Sequence, residues 1–317
     1  MLVSVIVPLY DKAPFVRRAL ASIARQTHPD VEILVVDDGS RDGGGEVAAA
    51  FGDPRLRVIR QRNAGPGSAR NRGLAEARGE LVAFLDADDE WQPGFLEHGL
   101  ALLRAAGPDA AAAASGYVLE PGARSTRALW QRRGLRDGLQ RVDATSPAPF
   151  VMHLAAYLTP CTTLARTAVL RRWGGFYARD RCVYGEDTHL WLAVLLNHPV
   201  AISLEPHVSI HTDASHLSGN LRGPRPVEPF LTDPRAVEEA CPAALRDVLR
   251  DVLAISAART ACMLSYWGRW REARELLRRF RPPSAWRVPW VVTAQLAANP
   301  LGARAGTAVR FLREVAA

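Results

Sequence analysis

Short apolar runs punctuate the first ninety residues: "VSVIVPL" from Val3, "VEILVVDD" from Val31, "LRVIRQ" from Leu56 and "LVAFLDA" from Leu81. Between them lie "APFVRRALASIARQ", "GEVAAAF" and "GSARNRGLAEARG", whose apolar residues recur at helical spacing. Near-continuous Val, Ile and Leu runs joined by short helical segments predict parallel strands covered on both faces, with right-handed crossovers. Farther along, "PCTTLARTAVLRRWGGF" predicts a strand leading into a helix that closes on Gly174 and Gly175. "GEDTHLWLAVLLNHP" predicts a helix with Glu186 and Asp187 in its first turn, and "VAISLEPHVSIH" alternates as a strand ending at His211. Residues 121–150, rich in Arg, Gly and Pro with little periodicity, are expected to form a mobile or substrate-covering loop. A Pro/Gly-rich stretch from Gly219 to Pro234 sets off the rest, giving an α/β domain over residues 1–225 and a helical region over 226–317. In that region "CMLSYWGRWREARELLRRF" places Met263, Trp267, Trp270, Ala273, Leu277 and Phe280 on one stripe of a single basic amphipathic helix.

In parallel sheets ligands bind beyond the carboxyl ends of the strands. Those ends read Pro8-Leu9-Tyr10-Asp11, Asp37-Asp38-Gly39-Ser40, Asn63-Ala64-Gly65 and Asp86-Ala87-Asp88-Asp89. The last is the most unusual, because "GELVAFLDADDEW" runs from buried-strand character straight into Asp86, Asp88, Asp89 and Glu90. Carboxylates so placed repel one another and resist desolvation, a conflict that a bound cation would remove. Oxygen ligands suit magnesium or manganese, and such an ion is often completed by substrate phosphates. A D-x-D pair alone is equally compatible with a solvated acidic turn. "VPLYDKAPF" contains no glycine after the first strand, which argues against a dinucleotide dehydrogenase, and the chain has no Walker A sequence.

Composition sharpens this picture at three points. Hydrophobic content of 48% with 23% charged residues is globular, and no apolar run reaches the length of a spanning helix. The apolar start "MLVSVIVPLYDK" reads as a first strand rather than a signal peptide, so a cytoplasmic location is expected. Cys161, Cys182, Cys241 and Cys262 form no CxxC and suggest reduced core residues. The net charge of +7 resides in residues 235–317, with 14 Arg against 7 acids, while residues 1–234 balance. A nucleic-acid enzyme would carry its excess around the active region, so no nucleic-acid partner is expected.

Together, "VSVIVPLYDKAPFVRRALASIARQ", "EILVVDDGSRDG", "NAGPGSARNRGLAEARGELVAFLDADDEW" and "GGFYARDRCVYGEDTHLW" resemble family 2 glycosyltransferases of the GT-A fold, over roughly residues 1 to 220. The resemblance implies transfer of a sugar from a nucleoside-diphosphate donor, by family habit a UDP-sugar, to a hydroxyl acceptor with inversion. It places Pro8 and Tyr10 beside the base, Asp38 hydrogen-bonded to it with Asp37 close by, and Asn71 with the "NAGPG" turn along the diphosphate and ribose. Asp86 and Asp88 would form the D-x-D, with Asp88 the direct ligand of Mn2+ or Mg2+ and Asp86 nearer the ribose or sugar. Asp187 would be the general base, with Glu186 and Trp173 on the acceptor side. His211 matches a position that often gives a further metal or diphosphate contact, although Ser209 stands where the family often has Arg. Rival readings are a sugar nucleotidyltransferase, which would carry a Gly-rich basic loop after the first strand, and a sugar-nucleotide-binding scaffold without catalysis. A lipid-linked saccharide acceptor, cell-envelope polysaccharide synthesis and peripheral contact of the basic tail with a membrane are further expectations; for the tail, packing against the protein itself is the competing reading.

Overall fold

A computed structural model describes residues 1–214, 225–280 and 298–299. The chain divides into two units, one of Met1–Val142 with His153–Asn220 and one of Asp143–Met152 with Leu221–Ala317.

The first unit opens with β1 (Val3–Leu9), α1 (Ala13–Ala24), β2 (Val31–Asp37), α2 (Gly44–Ala49), β3 (Leu56–Arg60), α3 (Pro66–Glu76) and β4 (Leu81–Phe84). It continues through β5 (Glu90–Trp91), α4 (Phe95–Ala106), β6 (Ala112–Glu120), β7 (Arg124–Ser125), α5 (Arg127–Arg132), β8 (Gly138–Gln140), α6 (Ala148–Tyr157), β9 (Thr163–Arg166), α7 (Thr167–Arg172), α8 (Glu186–Asn197) and β10 (Val200–His211), α6 beginning in the second unit. The sheet order is β3-β2-β1-β4-β9-β6-β10-β5, with β7 beside β6 and β8 beside β10. β1, β2, β3 and β4 run parallel, so their carboxyl ends share one edge. β9 runs antiparallel between β4 and β6, which makes the sheet mixed. Every residue of β2 is buried, as its unbroken apolar run requires of a strand covered on both faces. On one face Val5, Val7, Leu20, Ile23, Val35, Phe95, Leu96 and Leu164 belong to one continuous core.

Residues 121–150 are not an irregular loop, because β7, α5, β8 and the start of α6 occupy much of them. Trp130 and Leu135 are buried there, and the Trp130 ring meets Tyr157 edge-on at 5.2 Å. Two anchoring side chains organise the segment without generating a periodic pattern.

In the second unit α9 (Pro229–Thr232), α10 (Arg235–Ala240), α11 (Arg246–Tyr266) and α12 (Trp270–Arg279) follow one another. Ala258, Ala261 and Leu264 of α11 cluster with Ala273 of α12 and with Ala298, and Met263 and Leu277 pack against them. Small side chains at that seam let the two helices approach closely. The single amphipathic helix expected over Cys262–Phe280 is therefore two helices. Gly268 adopts φ 79°, and the Arg269 N–H donates to the Leu264 carbonyl at 2.8 Å, an ending that reverses the chain. Trp286, Trp290, Arg287 and Arg304 lie outside the described residues. Among the described residues no helix is long and apolar enough to cross a membrane.

Candidate active site

The carboxyl end of β2 shapes the first wall of the site. Asp38 is buried, and its carboxylate accepts hydrogen bonds from Gln61 Nε2 (2.8 Å) and from the N–H groups of Ala64 (2.9 Å) and Gly65 (2.8 Å). Those bonds pin the turn that leads into α3. Asp37 accepts from the Ser40 N–H at 2.9 Å and faces Arg60 Nε at 3.7 Å. Both carboxylates thus organise loops at the positions where the resemblance places base contacts. Tyr10, just past β1, is exposed, and Pro8 is half-buried. Beside the pinned turn opens a cavity of about 680 Å³ lined by Arg41, Gln61, Arg62, Asn63, Ala64, Ser68 and Arg181. Its three guanidinium groups favour an anionic or strongly hydrogen-bonding occupant.

The end of β4 supplies the second wall. Asp88 Oδ2 accepts from Lys12 Nζ at 2.7 Å. Burial raises the Asp88 pKa, the Asp86 charge raises it further, and Lys12 opposes both. Asp89 is more deeply buried and accepts from the His211 N–H at 2.9 Å. Burial first, and then Asp86 and Asp88, hold its carboxyl well above the usual range. Ligand atoms of Asp86, Asp89 and Cys161 lie within 4.8 Å of one another. Burial, and after it Asp89, push the Cys161 thiol far up, so it stays protonated and is a poor donor to a hard cation. Asp88, expected as the direct metal ligand, is neutralised by Lys12 and lies outside that trio. His211, the other expected ligand, contributes its backbone to Asp89, while among the described residues its buried Nε2 has no hydrogen-bond partner. Crowded carboxylates with elevated pKa values and an orphaned imidazole nitrogen fit a divalent cation of the magnesium or manganese type.

Arg70 links this wall to the third. Its Nη2 donates to Asp86 Oδ1 and its Nη1 to Glu186 Oε1, each at 2.7 Å, and its guanidinium carbon lies 5.4 Å from the Phe176 ring centre. The adjoining carboxylates raise its pKa despite burial, keeping it charged. Glu186 and Asp187 open α8, where the helix dipole favours acids. Glu186 is buried and engaged by Arg70. Asp187 accepts from the Thr188 N–H at 2.7 Å through Oδ1, and among the described residues no hydrogen bond reaches its Oδ2. Burial and the neighbouring Glu186 push the Asp187 pKa up to about 6, against the pull of Arg70.

Two expected contacts lie elsewhere. Asn71 uses both ends of its amide on the Phe176 backbone, donating through Nδ2 to the carbonyl at 2.7 Å and accepting the N–H through Oδ1 at 2.8 Å. These two bonds position the segment under Arg70 and use one of the two Nδ2 hydrogens. Trp173 caps the end of α7 with its ring 6.1 Å from that of His198. His198 follows the last turn of α8, so at 1.5 Å rise per residue Trp173 lies about 15 Å along that helix from Asp187. Its ring packs at that end of α8. Arg70, Lys12 and Arg181 are not among the candidate residues named from the sequence, and Asp89 enters there only as part of the acid run. Arg70 stands inside α3 and Lys12 just past β1 as ordinary basic residues, and of their carboxylate partners Asp86 lies 16 residues from Arg70, Glu186 116 from it, and Asp88 76 from Lys12.

The Glycosyl transferase family 2 model matches residues 4–163. The chain belongs to that family. A curated relative, the uncharacterized glycosyltransferase EpsJ of Bacillus subtilis, is 48% identical over 90 residues, 28% of this chain and 26% of EpsJ. The putative glycosyltransferase EpsH of the same organism is 38% identical over 120 residues, 37% of this chain and 34% of EpsH. The matches therefore span only a quarter to a third of these relatives' length. The crystal structure of S. aureus TarS residues 1–349 in complex with UDP aligns at TM-score 0.63 and 20% identity, covering 98% of this chain and 91% of that one. The fold is GT-A. The family 2 match ends at Thr163, so Glu186, Asp187 and His211 lie beyond it, on elements that the three-dimensional fold alone brings to the acid cluster.

Proposed function

We propose that this chain is an inverting glycosyltransferase that moves a sugar from a nucleoside-diphosphate donor to a hydroxyl acceptor with the aid of a divalent cation. The observation that carries this reading is Asp187: a carboxylate held near pKa 6, with one oxygen unengaged, across Arg70 from the acid cluster. A base for a hydroxyl works best with a pKa near the operating pH. Arg70 fixes Asp86 and Glu186, and Asp187 is the acid at the head of α8 whose Oδ2 no hydrogen bond reaches among the described residues. One base on one side and an electrophilic wall on the other suit a single displacement.

Asp86 and Asp88, with the His211 Nε2, are the groups that would hold Mn2+ or Mg2+. When bound, the ion would offset negative charge growing on the departing diphosphate. Lys12 neutralises Asp88 in the resting arrangement, and Arg41, Arg62 and Arg181 give the donor's anionic or base end a polar cavity. Residues 1–225 form the catalytic domain in this reading, and 226–317 a helical region for packing, oligomerisation or membrane-surface contact near a lipid-linked acceptor in envelope polysaccharide synthesis.

A panel of nucleotide sugars, beginning with UDP-sugars because the TarS structure holds UDP, tests the reading in manganese or magnesium with simple hydroxyl acceptors. Release of nucleoside diphosphate with an inverted glycoside supports it. Pyrophosphate would identify a nucleotidyltransferase, and donor binding without turnover a scaffold; either would overturn it.

A further inference from the structure

A second group of metal-capable side chains stands apart from the acid cluster. His98 lies on the first turn of α4, and Glu205 and His207 lie on β10. One ligand atom from each falls within 4.8 Å of the other two. Glu205 is exposed and His207 half-buried, while Leu204 and Val208 on either side of them are buried. β10 slips register against β6 on both sides of Pro206, a bulge that re-aims the flanking side chains. The bulge is held from both sides: the Leu204 N–H donates to Asp137 Oδ1 at 2.6 Å, and the His207 carbonyl accepts from the Gln92 N–H at 2.9 Å.

The imidazoles themselves carry the second observation. The His98 and His207 rings stack with centroids 4.2 Å apart and planes 24° apart. Among the described residues His98 Nε2 and both nitrogens of His207 are buried without a hydrogen-bond partner. Buried polar atoms of that kind ordinarily find a partner, and three on two touching rings indicate a missing one.

We propose that His98, Glu205 and His207 form a binding site for a zinc-class divalent ion, separate from the acid cluster, that clips α4 to β10. Two imidazoles and one carboxylate suit borderline-soft ions such as zinc, with a water in the fourth position. Tetrahedral zinc requires ligand atoms about 3.3 Å apart. The present spacing closes by side-chain rotation, and one ring must turn out of the stack, since near-parallel rings cannot both aim their in-plane lone pairs at one point. The hard-ion acid cluster and this site would then discriminate by donor type.

The test uses the untagged full-length chain, stripped by chelator and titrated with zinc chloride and with cobalt chloride. Zinc should bind with the acid cluster disabled by Asp88→Asn and Cys161→Ser, and should weaken at least about tenfold in His98→Ala, His207→Ala and the exposed Glu205→Gln. Cobalt should give visible ligand-field bands without a thiolate charge-transfer band, distinguishing this site from one using Cys161. The three variants should keep the apo melting temperature and the manganese-supported turnover of the parent. Zinc binding unchanged by all three, or abolished by the acid-cluster changes alone, would overturn the proposal. Failure of glycosyl transfer would remove only the turnover comparison and leave the zinc result standing, because the zinc titration and the cobalt spectrum do not depend on it.

Discussion

Asp187 is the residue whose chemistry is most exposed to test. With its pKa pushed up to about 6, Asp187 as the proposed base is ionised above that pH and protonated below it, so kcat/KM should fall along an acidic limb with an apparent pKa of about 6. Asp187→Asn should lower turnover by about a hundredfold or more, abolish that limb and leave donor affinity nearly intact. The same change carries a stability signature with a definite sign. An acid whose folded pKa is raised above 3.8 is held ionised at a cost to the native state above pH 6, and that cost fades as pH falls through 6 toward 3.8. Asn in its place should therefore raise the melting temperature at pH 7.5 and change it little at pH 4. Lower activity with unchanged or reduced stability at pH 7.5 would mean that the carboxylate is structural. Arg70 should behave oppositely: Arg70→Met leaves Asp86 and Glu186 unpaired in a buried site, and chemical denaturation should show a loss of about 3 kcal/mol or more.

The close approach of α3 to the segment after α7 decides how accurately Arg70 is placed. A Cβ on Gly67 would meet the Tyr177 carbonyl oxygen at 2.4 Å and Glu186 Cγ at 3.3 Å, so Gly67→Ala must push α3 away from both. Turnover should drop more than tenfold as the pairs at Arg70 loosen, the order expected when a reacting group is displaced by about 1 Å; wild-type kinetics would show that the approach is not needed. How well the chain could be read at this level follows from the kind of signal each element carries. β2, α8 and β10 were legible because burial on two faces, helical spacing and strand alternation each write a period into the residues. The break between α11 and α12 was not, since a lone glycine inside a helical stripe costs only about 1 kcal/mol and Gly268 left the apolar spacing intact. At the site, the acid run and the Glu-Asp pair announced themselves as local clusters. The roles of Arg70, Lys12 and Asn71 depend on Glu186, Asp88 and Phe176, which stand 116, 76 and 105 residues away, where no local pattern records the pairing.

Across the whole molecule the charge is unevenly placed, with the excess of +7 in residues 235–317. Arg271, Arg274, Arg278 and Arg279 of α12 are all exposed. Residues of this kind near an anionic bilayer attract it by about 1 kcal/mol each. In the proposed membrane-contact reading, the chain should float with anionic liposomes at low salt and not with neutral ones, and changing those four arginines to serine should reduce flotation at least tenfold without loss of fold. Flotation that ignores lipid charge, or the serine changes, would confine α12 to packing. These substitutions are a cleaner probe than removing everything after residue 234. Met152 Sδ lies 3.6 Å from Ser256 Oγ within the second unit, so truncation strips the cover from α6 as well.

That shared membership of Asp143–Met152 and Leu221–Ala317 in one unit has a consequence for biosynthesis. On the ribosome, residues 143–152 emerge well before the helices they will join, and at about 5 to 20 residues per second the wait for Ser256 is roughly 5 to 20 s. During that interval the apolar start of α6, with Val151 buried in the finished protein, is uncovered on a nascent chain whose sheet can already assemble. A pulse-labelled chain stalled near residue 250, where β10 has emerged but Ser256 has not, should accordingly be captured by a holdase through this decapeptide, and one stalled after its full length has cleared the exit tunnel should not.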